Sequence, residues 1–291
     1  MKKENLNHLS DNNWAIITGA SGGLGTSFAL SCARKEYHLL LIDLPGKHLF
    51  NLCDFISRNF PVKVKFLEVD LSEENFEIPI LEKIKTDKIK PKILINNAGM
   101  SQNDFFENTD GHYLRKMIEL NDVACVSLTK ALLPELKKNK ESYIINVSSF
   151  GSFYPLPYKT CYAATKGFVR QFSQALRMEV EKYGVHVSAL CPGPMTTNIN
   201  NYLLTRNLNW FARKTIQRPD AVAEKAIRDT LQKREIIIPG RLNRILKFIS
   251  SLIPGFIRKK LTAYSMHHLD KEKTSKKNMV PKRKKVMSLP V

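Results

Sequence analysis

The stretch Trp14-Ala15-Ile16-Ile17-Thr18-Gly19-Ala20-Ser21-Gly22-Gly23-Leu24-Gly25 decides the fold of this chain. Its first four residues form a short apolar run that suits a strand buried in a parallel sheet. The run passes directly into a glycine-rich turn, and Thr26-Ser27-Phe28-Ala29-Leu30-Ser31-Cys32-Ala33 then reads as a helix. Strand, glycine turn and helix in that order is the context in which such a turn points to a bound dinucleotide. Gly19 permits the tight turn, Gly23 the close approach of a pyrophosphate, and Gly25 close packing of helix on strand. The helix start offers N–H groups and the positive end of its dipole to the phosphates. A glycine-rich connector with no ligand is the competing reading.

The next apolar run, His38-Leu39-Leu40-Leu41-Ile42, ends at Asp43. An acidic residue about twenty positions past the glycines is placed to accept hydrogen bonds from the adenosine ribose hydroxyls. Its carboxylate would repel a 2′-phosphate, and no Arg stands at Leu44 or Pro45, so NAD(H) is favoured and NADP(H) is the alternative. Lys47 and Arg34 lie near enough in sequence to blunt that discrimination, and Asp43 could instead cap the following turn. Farther along, strand-like runs at 14–18, 38–43, 62–69, 92–96, 142–147, 185–191 and 235–239 alternate with helical ones. That alternation predicts an α/β fold: a Rossmann-type, doubly wound parallel sheet of about seven strands with helices on both faces. Ligands then bind at the carboxyl ends of the strands, where Gly19, Asp43, Asp70, Asn96 and Ser149 all fall.

In the second half, Ser148-Ser149 is followed by Tyr162-Ala163-Ala164-Thr165-Lys166. Tyr162 and Lys166, four apart, share one face of a helix. An ammonium beside a phenol favours the phenolate, which turns Tyr162 into a proton donor and acceptor useful near neutral pH.

With these motifs in order, the chain resembles the short-chain dehydrogenase/reductase family in its single-domain form, from about Trp14 to about Gly240. Thr18-Gly19-x-x-x-Gly23-x-Gly25 is similar to the family's cofactor turn, and Asp70 in Val69-Asp70-Leu71 to its adenine-contacting Asp. Asn96-Asn97-Ala98-Gly99 resembles the segment that closes strand four, steadies the central sheet and lines the cofactor. Asn121 falls at the family's catalytic Asn, and Pro192-Gly193-Pro194 where the family folds over the nicotinamide. Ser149, thirteen residues before Tyr162, rather than Ser148, takes the place of the catalytic Ser. The resemblance implies cofactor contacts from Thr18, Gly19, Ser21, Gly23, Leu24, Gly25, Asp43, Asp70, Leu71, Asn97, Ala98, Gly99, Tyr162, Lys166, Pro192, Gly193 and Thr197. It also implies hydride exchange between a nicotinamide and a carbonyl/alcohol carbon. Tyr162 is then the general acid/base, Lys166 lowers its pKa and binds the ribose, Ser149 polarises the carbonyl, and Asn121 holds a relay water. No metal is called for. Two alternatives stand beside this: an NADPH-dependent biosynthetic ketoreductase, and a non-catalytic dinucleotide-sensing protein. Family members commonly form homodimers or homotetramers, and nothing in the sequence chooses between them.

The substrate side is apolar. Leu203, Leu204, Leu208, Trp210 and Phe211 occupy the family's variable lid, and Phe150, Phe153, Tyr154 and Tyr158 lie between Ser149 and Tyr162. This points to a lipophilic ketone or secondary alcohol, or simply to packing of the lid.

Residues 1–13 are polar and lack the apolar core of a secretory signal, and no apolar run approaches the length of a membrane span. The five cysteines (32, 53, 125, 161, 191) show no paired or zinc-type spacing and read as small residues in a reducing cytoplasm. Beyond Gly240, fourteen Lys/Arg stand against Asp270 and Glu272, so the tail holds twelve of the chain's nineteen net positive charges. Leu242, Ile245, Leu246, Ile249, Leu252, Ile253, Phe256, Ile257 and Leu261 recur there at helical spacing, with a break at Pro254-Gly255. The division expected is a polar segment 1–13, a catalytic domain 14–240, an amphipathic extension 241–266 and a basic disordered tail 267–291. An apolar stripe flanked by basic residues suits peripheral binding of 241–285 to an anionic membrane, placing the protein in the cytoplasm or on the cytoplasmic membrane face. A dimer- or lid-packing helix is the competing reading. Nucleic acid is disfavoured because no reader motif or interleaved aromatics accompany the charge.

Overall fold

The computed structural model describes residues 13–196, 214–255 and 257. Its core is a seven-stranded, all-parallel sheet in the order β3-β2-β1-β4-β5-β6-β7. The strands are β1 Trp14–Thr18, β2 His38–Asp43, β3 Val64–Glu68, β4 Pro91–Asn96, β5 Ser142–Val147, β6 Val185–Leu190 and β7 Ile236–Ile237. Every residue of β1, β5 and β6 is buried, as expected of strands covered on both faces. The edge strand β3 is largely exposed and correspondingly carries Lys65 and Glu68.

Helices follow the strands. They are α1 Gly23–Arg34, α2 Lys47–Asn59, α3 Glu77–Thr86, α4 Gly111–Ile118, α5 Ala124–Leu136, α6 Thr160–Val180, α7 Pro219–Leu231 and α8 Arg241–Leu252. A π-helical turn, Glu119–Val123, joins α4 to α5. In α2 the buried residues Leu49, Leu52, Cys53 and Ile56 recur at one-turn spacing, so the helix lays a single apolar stripe on the sheet. Residues of α1, α2 and α7 share a core with one face of the sheet, and residues of α3 and α5 share a second core with the other. The strand order reverses between β1 and β4, which opens a crevice at their carboxyl ends.

Two buried amides tie the centre of the sheet to its helices. Asn96 and Asn146 are register partners on β4 and β5. Asn96 Nδ2 donates to Asn146 Oδ1 at 2.8 Å and to Thr129 Oγ1 on α5 at 2.9 Å, and Asn146 Nδ2 donates to Ser173 Oγ on α6 at 3.0 Å. A buried amide left unpaired costs about 1–3 kcal/mol, so each link holds only while its partner is present.

The chain divides into two compact units, Met1–Lys247 and Phe248–Val291. Asn243, in the first turn of α8, belongs to the first unit. It is 2 % exposed, its amide packs against Gly193, and its Nδ2 donates to Pro239 O. Of the expected amphipathic extension, 241–255 and 257 are described. Phe256, Leu261 and the basic tail 267–291 lie outside the described residues, as do the N-terminal residues 1–12.

Candidate active site

The turn after β1 is shaped by close backbone approach. Gly19 has φ +61°, a conformation that costs a side-chain-bearing residue energy. A Cβ on Gly25 would lie 1.9 Å from Gly19 O, so only glycine lets the first turn of α1 sit against the strand end. No side chain caps that helix start, and its first turn holds no acidic residue. Its N–H groups therefore face a cavity of about 580 Å³ lined by the glycine turn, Asp43, Asp70, Leu71, Asn97 and Ala98.

Asp43 ends β2 beside this cavity. Its Oδ2 accepts from Ser21 N at 2.7 Å and Ser21 Oγ at 2.6 Å, and its Oδ1 accepts from Leu44 N at 2.8 Å. The carboxylate thus steadies the glycine turn and also caps its own turn. Arg34 lies 3.6 Å from Glu224 on α7. Asp70 accepts from Ser72 N and Oγ and pairs with Lys116 Nζ at 3.0 Å. Burial alone would raise its pKa, but these hydrogen bonds and the ammonium hold it below the usual carboxylate range.

At the end of β4, Asn97 Nδ2 donates to the carbonyls of Thr18 and Gly19, both at 3.0 Å. Thr18 Oγ1 accepts from Asn97 N and Ala98 N. Gly99 comes next, and a Cβ there would stand 2.8 Å from Asn121 Oδ1 and 3.2 Å from Lys166 Nζ. The absence of a side chain at Gly99 is what lets Asn121 and Lys166 converge.

Asn121, on the π-helical turn, accepts from Met100 N at 2.8 Å and donates to Met100 O at 3.1 Å and Thr165 Oγ1 at 3.0 Å. Lys166 is 5 % exposed on the sheet-facing side of α6 and donates to Val147 O at 2.9 Å. Burial lowers its pKa. A water-sized void of about 10 Å³, apart from the larger cavities, is lined by Asn121, Lys166, Asn96 and Cys125, among others. Tyr162 lies one turn before Lys166, its ring centroid 6.0 Å from the ammonium. Burial raises the phenol's pKa, and a hydrogen bond with Ser149 works against that rise. Ser149 is the serine beside Tyr162, whereas Ser148 Oγ donates to Lys166 O at 2.6 Å. Ser149, Tyr162, Lys166, Pro192 and Gly193 line a second cavity of about 260 Å³. It shares Leu24, Asn97, Gly99 and Met100 with the first, so glycine turn and tyrosine border one continuous cleft. The uncapped helix start, the carboxylate that ends β2 beside it and this continuity together fit NAD(P)(H).

Thr197 and the lid residues Leu203, Leu204, Leu208, Trp210 and Phe211 lie outside the described residues. A third cavity, about 560 Å³, adjoins the tyrosine and is walled by Phe150, Tyr154, Leu156 and Met195. The aromatics singled out between Ser149 and Tyr162 divide here. Phe150 and Tyr154 line the cavity, whereas Tyr158 is buried against Phe105 and Phe153 packs edge-on against Phe150 and Tyr154. Burial raises the thiols of Cys161 and Cys191, the latter to about 11, so neither ionises readily near neutrality.

Residues 13–207 match the family described as short chain dehydrogenase. The chain belongs to that family, nicotinamide-dependent oxidoreductases of carbonyl and alcohol carbons. It is 33 % identical over 214 residues to a very-long-chain 3-oxoacyl-CoA reductase of Phaeosphaeria nodorum, covering 70 % of this chain and 62 % of the relative. It is 30 % identical over 275 residues to the protein of the same name in Macaca fascicularis, covering 89 % of this chain and 83 % of that one. A short-chain dehydrogenase from Sphingobium yanoikuyae, solved in complex with NADPH, superposes with a TM-score of 0.70 at 25 % identity. That match covers 84 % of this chain and 97 % of the other.

Sequence reasoning missed Lys116 and Asp122. Lys116 meets Asp70 from a distant helix, a juxtaposition no local spacing announces. Asp122 neighbours Asn121, and its buried Oδ1 has no hydrogen-bond partner among the described residues. Burial raises its pKa to about 7, against the pull of Lys166. In the folded protein it keeps a proton over a range where the unfolded chain has lost it, since an unperturbed Asp titrates near ~3.9. Its contribution therefore falls as pH rises from about 4 to about 7. Asp122→Asn, neutral at every pH, should raise stability at about pH 8 and leave it little changed at about pH 4 in urea unfolding. Equal differences at both pH values would refute the assignment.

Proposed function

We propose that this chain is an NAD(H)-preferring alcohol dehydrogenase/ketoreductase acting on a lipophilic carbonyl or secondary alcohol. The observation that carries the reading is the meeting of Ser149, Tyr162 and Lys166 on one wall of the cleft that begins at the glycine turn. A bound nicotinamide would supply or accept the hydride. Tyr162 protonates the developing alkoxide in the reducing direction and takes that proton back in the oxidising one, a contribution of roughly 10²–10⁴-fold. Ser149 donates to the substrate oxygen and stabilises the charge that grows on it. Lys166 binds the nicotinamide ribose and opposes the effect of burial on the phenol, as an ammonium beside an ionisable hydroxyl does. Asn121 and Lys166 border the cavity of about 10 Å³, room for one water, which supports a relay from Lys166 toward solvent.

Asp43 supports NAD(H) over NADP(H). Its carboxylate lines the adenosine end of the cleft, and a 2′-phosphate beside it would cost several kcal/mol. The apolar wall of the third cavity supports a lipophilic substrate, as does the likeness to proteins named very-long-chain 3-oxoacyl-CoA reductases.

Membrane attachment through the end of the chain completes the proposal. No helix among the described residues is long and apolar enough to cross a membrane. On α8, however, Ile245, Phe248, Ile249 and Leu252 are exposed at one-turn spacing, and the sequence beyond is strongly basic. That combination supports lying on an anionic surface, where each Lys or Arg contributes about 1 kcal/mol.

Three outcomes follow. Tyr162→Phe should lower turnover at least about 10²-fold while nicotinamide binding, followed by fluorescence, stays within about threefold; near wild-type turnover would remove Tyr162 from its role. In paired NADH and NADPH titrations, Asp43→Ala should shift relative affinity toward NADPH by about tenfold or more. A wild type that prefers NADPH would overturn the cofactor assignment. Deleting 248–291 should abolish flotation with phosphatidylserine vesicles while leaving the first unit folded by circular dichroism. Equal flotation of both proteins would end the membrane reading.

A further inference from the structure

Lys159 stands where stability alone would not put it. It is the N-cap residue of α6, a helix of 21 residues, so its charge sits at the positive end of the helix dipole. It is half-buried, and burial is the one influence resolved on its pKa, which it lowers. Its ammonium donates to Ser101 Oγ at 3.3 Å, to Gln102 O at 3.3 Å and to Asn103 Oδ1. All three acceptors are neutral, and among the described residues Lys159 forms no ion pair.

The loop beneath this lysine is itself hydrogen-bonded to its surroundings. Gln102, 1 % exposed, accepts from Cys161 N at 3.0 Å and donates to Asp104 O and Thr109 Oγ1. Tyr113 donates from its hydroxyl to Ser101 O at 2.7 Å. Lys159 lines the third cavity together with Phe150, Tyr154, Leu156 and Tyr162, and among the described residues no acidic one lines it. Its Nζ lies 5.4 Å from the centroid of the Tyr162 ring.

We propose that Lys159 is a specificity-determining residue that binds an anionic oxygen group, carboxylate or phosphate, carried a few bonds from the reacting carbon of a lipophilic substrate. The inference rests on the hydride-transfer reading above and deepens it, from a lipophilic ketone to a lipophilic oxo- or hydroxy-anion. An anion arriving there relieves the burial of an unpaired charge and the repulsion from the helix end together. The two bonds at 3.3 Å are long, so an incoming oxygen displaces weak partners.

The test compares a medium-chain γ-keto acid with its methyl ester on the full chain, using NADH and NADPH. Wild type should favour the acid by roughly 10–100-fold in kcat/KM, expressed in KM, the range of a hydrogen bond to a charged group. Lys159→Met should bring the acid-to-ester ratio near one, and Lys159→Arg should restore most of it. Equal use of acid and ester by wild type, or a preference that survives Lys159→Met, overturns the proposal while leaving hydride transfer standing. No turnover of either compound with either cofactor strikes hydride transfer itself. Calorimetry then decides the anion site alone, with decanoate, decyl phosphate and decanol as probes. Tighter binding of either anion than of decanol, lost in Lys159→Met, supports the site and identifies its head group. Equal binding of all three overturns it.

Discussion

The structure depends on how closely three backbone segments meet where β1 ends. Gly19 O occupies the space a side chain on Gly25 would need, and a Cβ on Gly19 would lie 2.9 Å from Ala98 Cα. Asn97 and Ala98, just past β4, bind this meeting by donating four hydrogen bonds to Thr18 and Gly19 at the end of β1. Those two strands flank the crevice where the sheet order reverses, so the contact that closes the core also sets the width of the cleft mouth. Asp43 joins the same knot through Ser21.

The end of the cleft at Tyr162 and Lys166 has a different logic, in which helix geometry and burial act against each other. The four-residue spacing puts Tyr162 and Lys166 on one side of α6, and the same side buries both. Burial disfavours the charged form of each group, raising the phenol and lowering the ammonium. Ser149 offsets this at the phenol, and Lys166 keeps a carbonyl partner in Val147. Burial is thus the largest influence on both groups, and local hydrogen bonds work against it.

Much of this was legible in the sequence because it is local. Buried strands read as apolar runs, their boundaries shifted by at most a few residues: β3 spans Val64–Glu68 where 62–69 was expected, and β7 only Ile236–Ile237 where 235–239 was expected. Glycines with a steric duty, Gly19 and Gly25, announce themselves by context. The family resemblance favours Ser149 over Ser148, and the structure puts Ser149 within hydrogen-bonding reach of Tyr162. What could not be read were groups whose surroundings are assembled from distant segments. Lys116 meets Asp70 from forty-six positions away, and Lys159 meets the 101–103 loop from nearly sixty. Asp122 looks like any polar helix residue until the turn around it buries one oxygen. Neither composition nor periodicity carries that information, because it arises only when the chain closes on itself.

The root of α8 has a consequence for how this chain can be shortened or joined to another. Asn243 wedges its amide against Gly193, and Gly193 N in turn donates to Gln217 Oε1 at 3.1 Å. The residues that lead toward the basic end are therefore a keystone for the loop roofing the cleft. Cutting at the apparent end of the last strand would take the keystone with it. A cut after Lys247 leaves the roof intact.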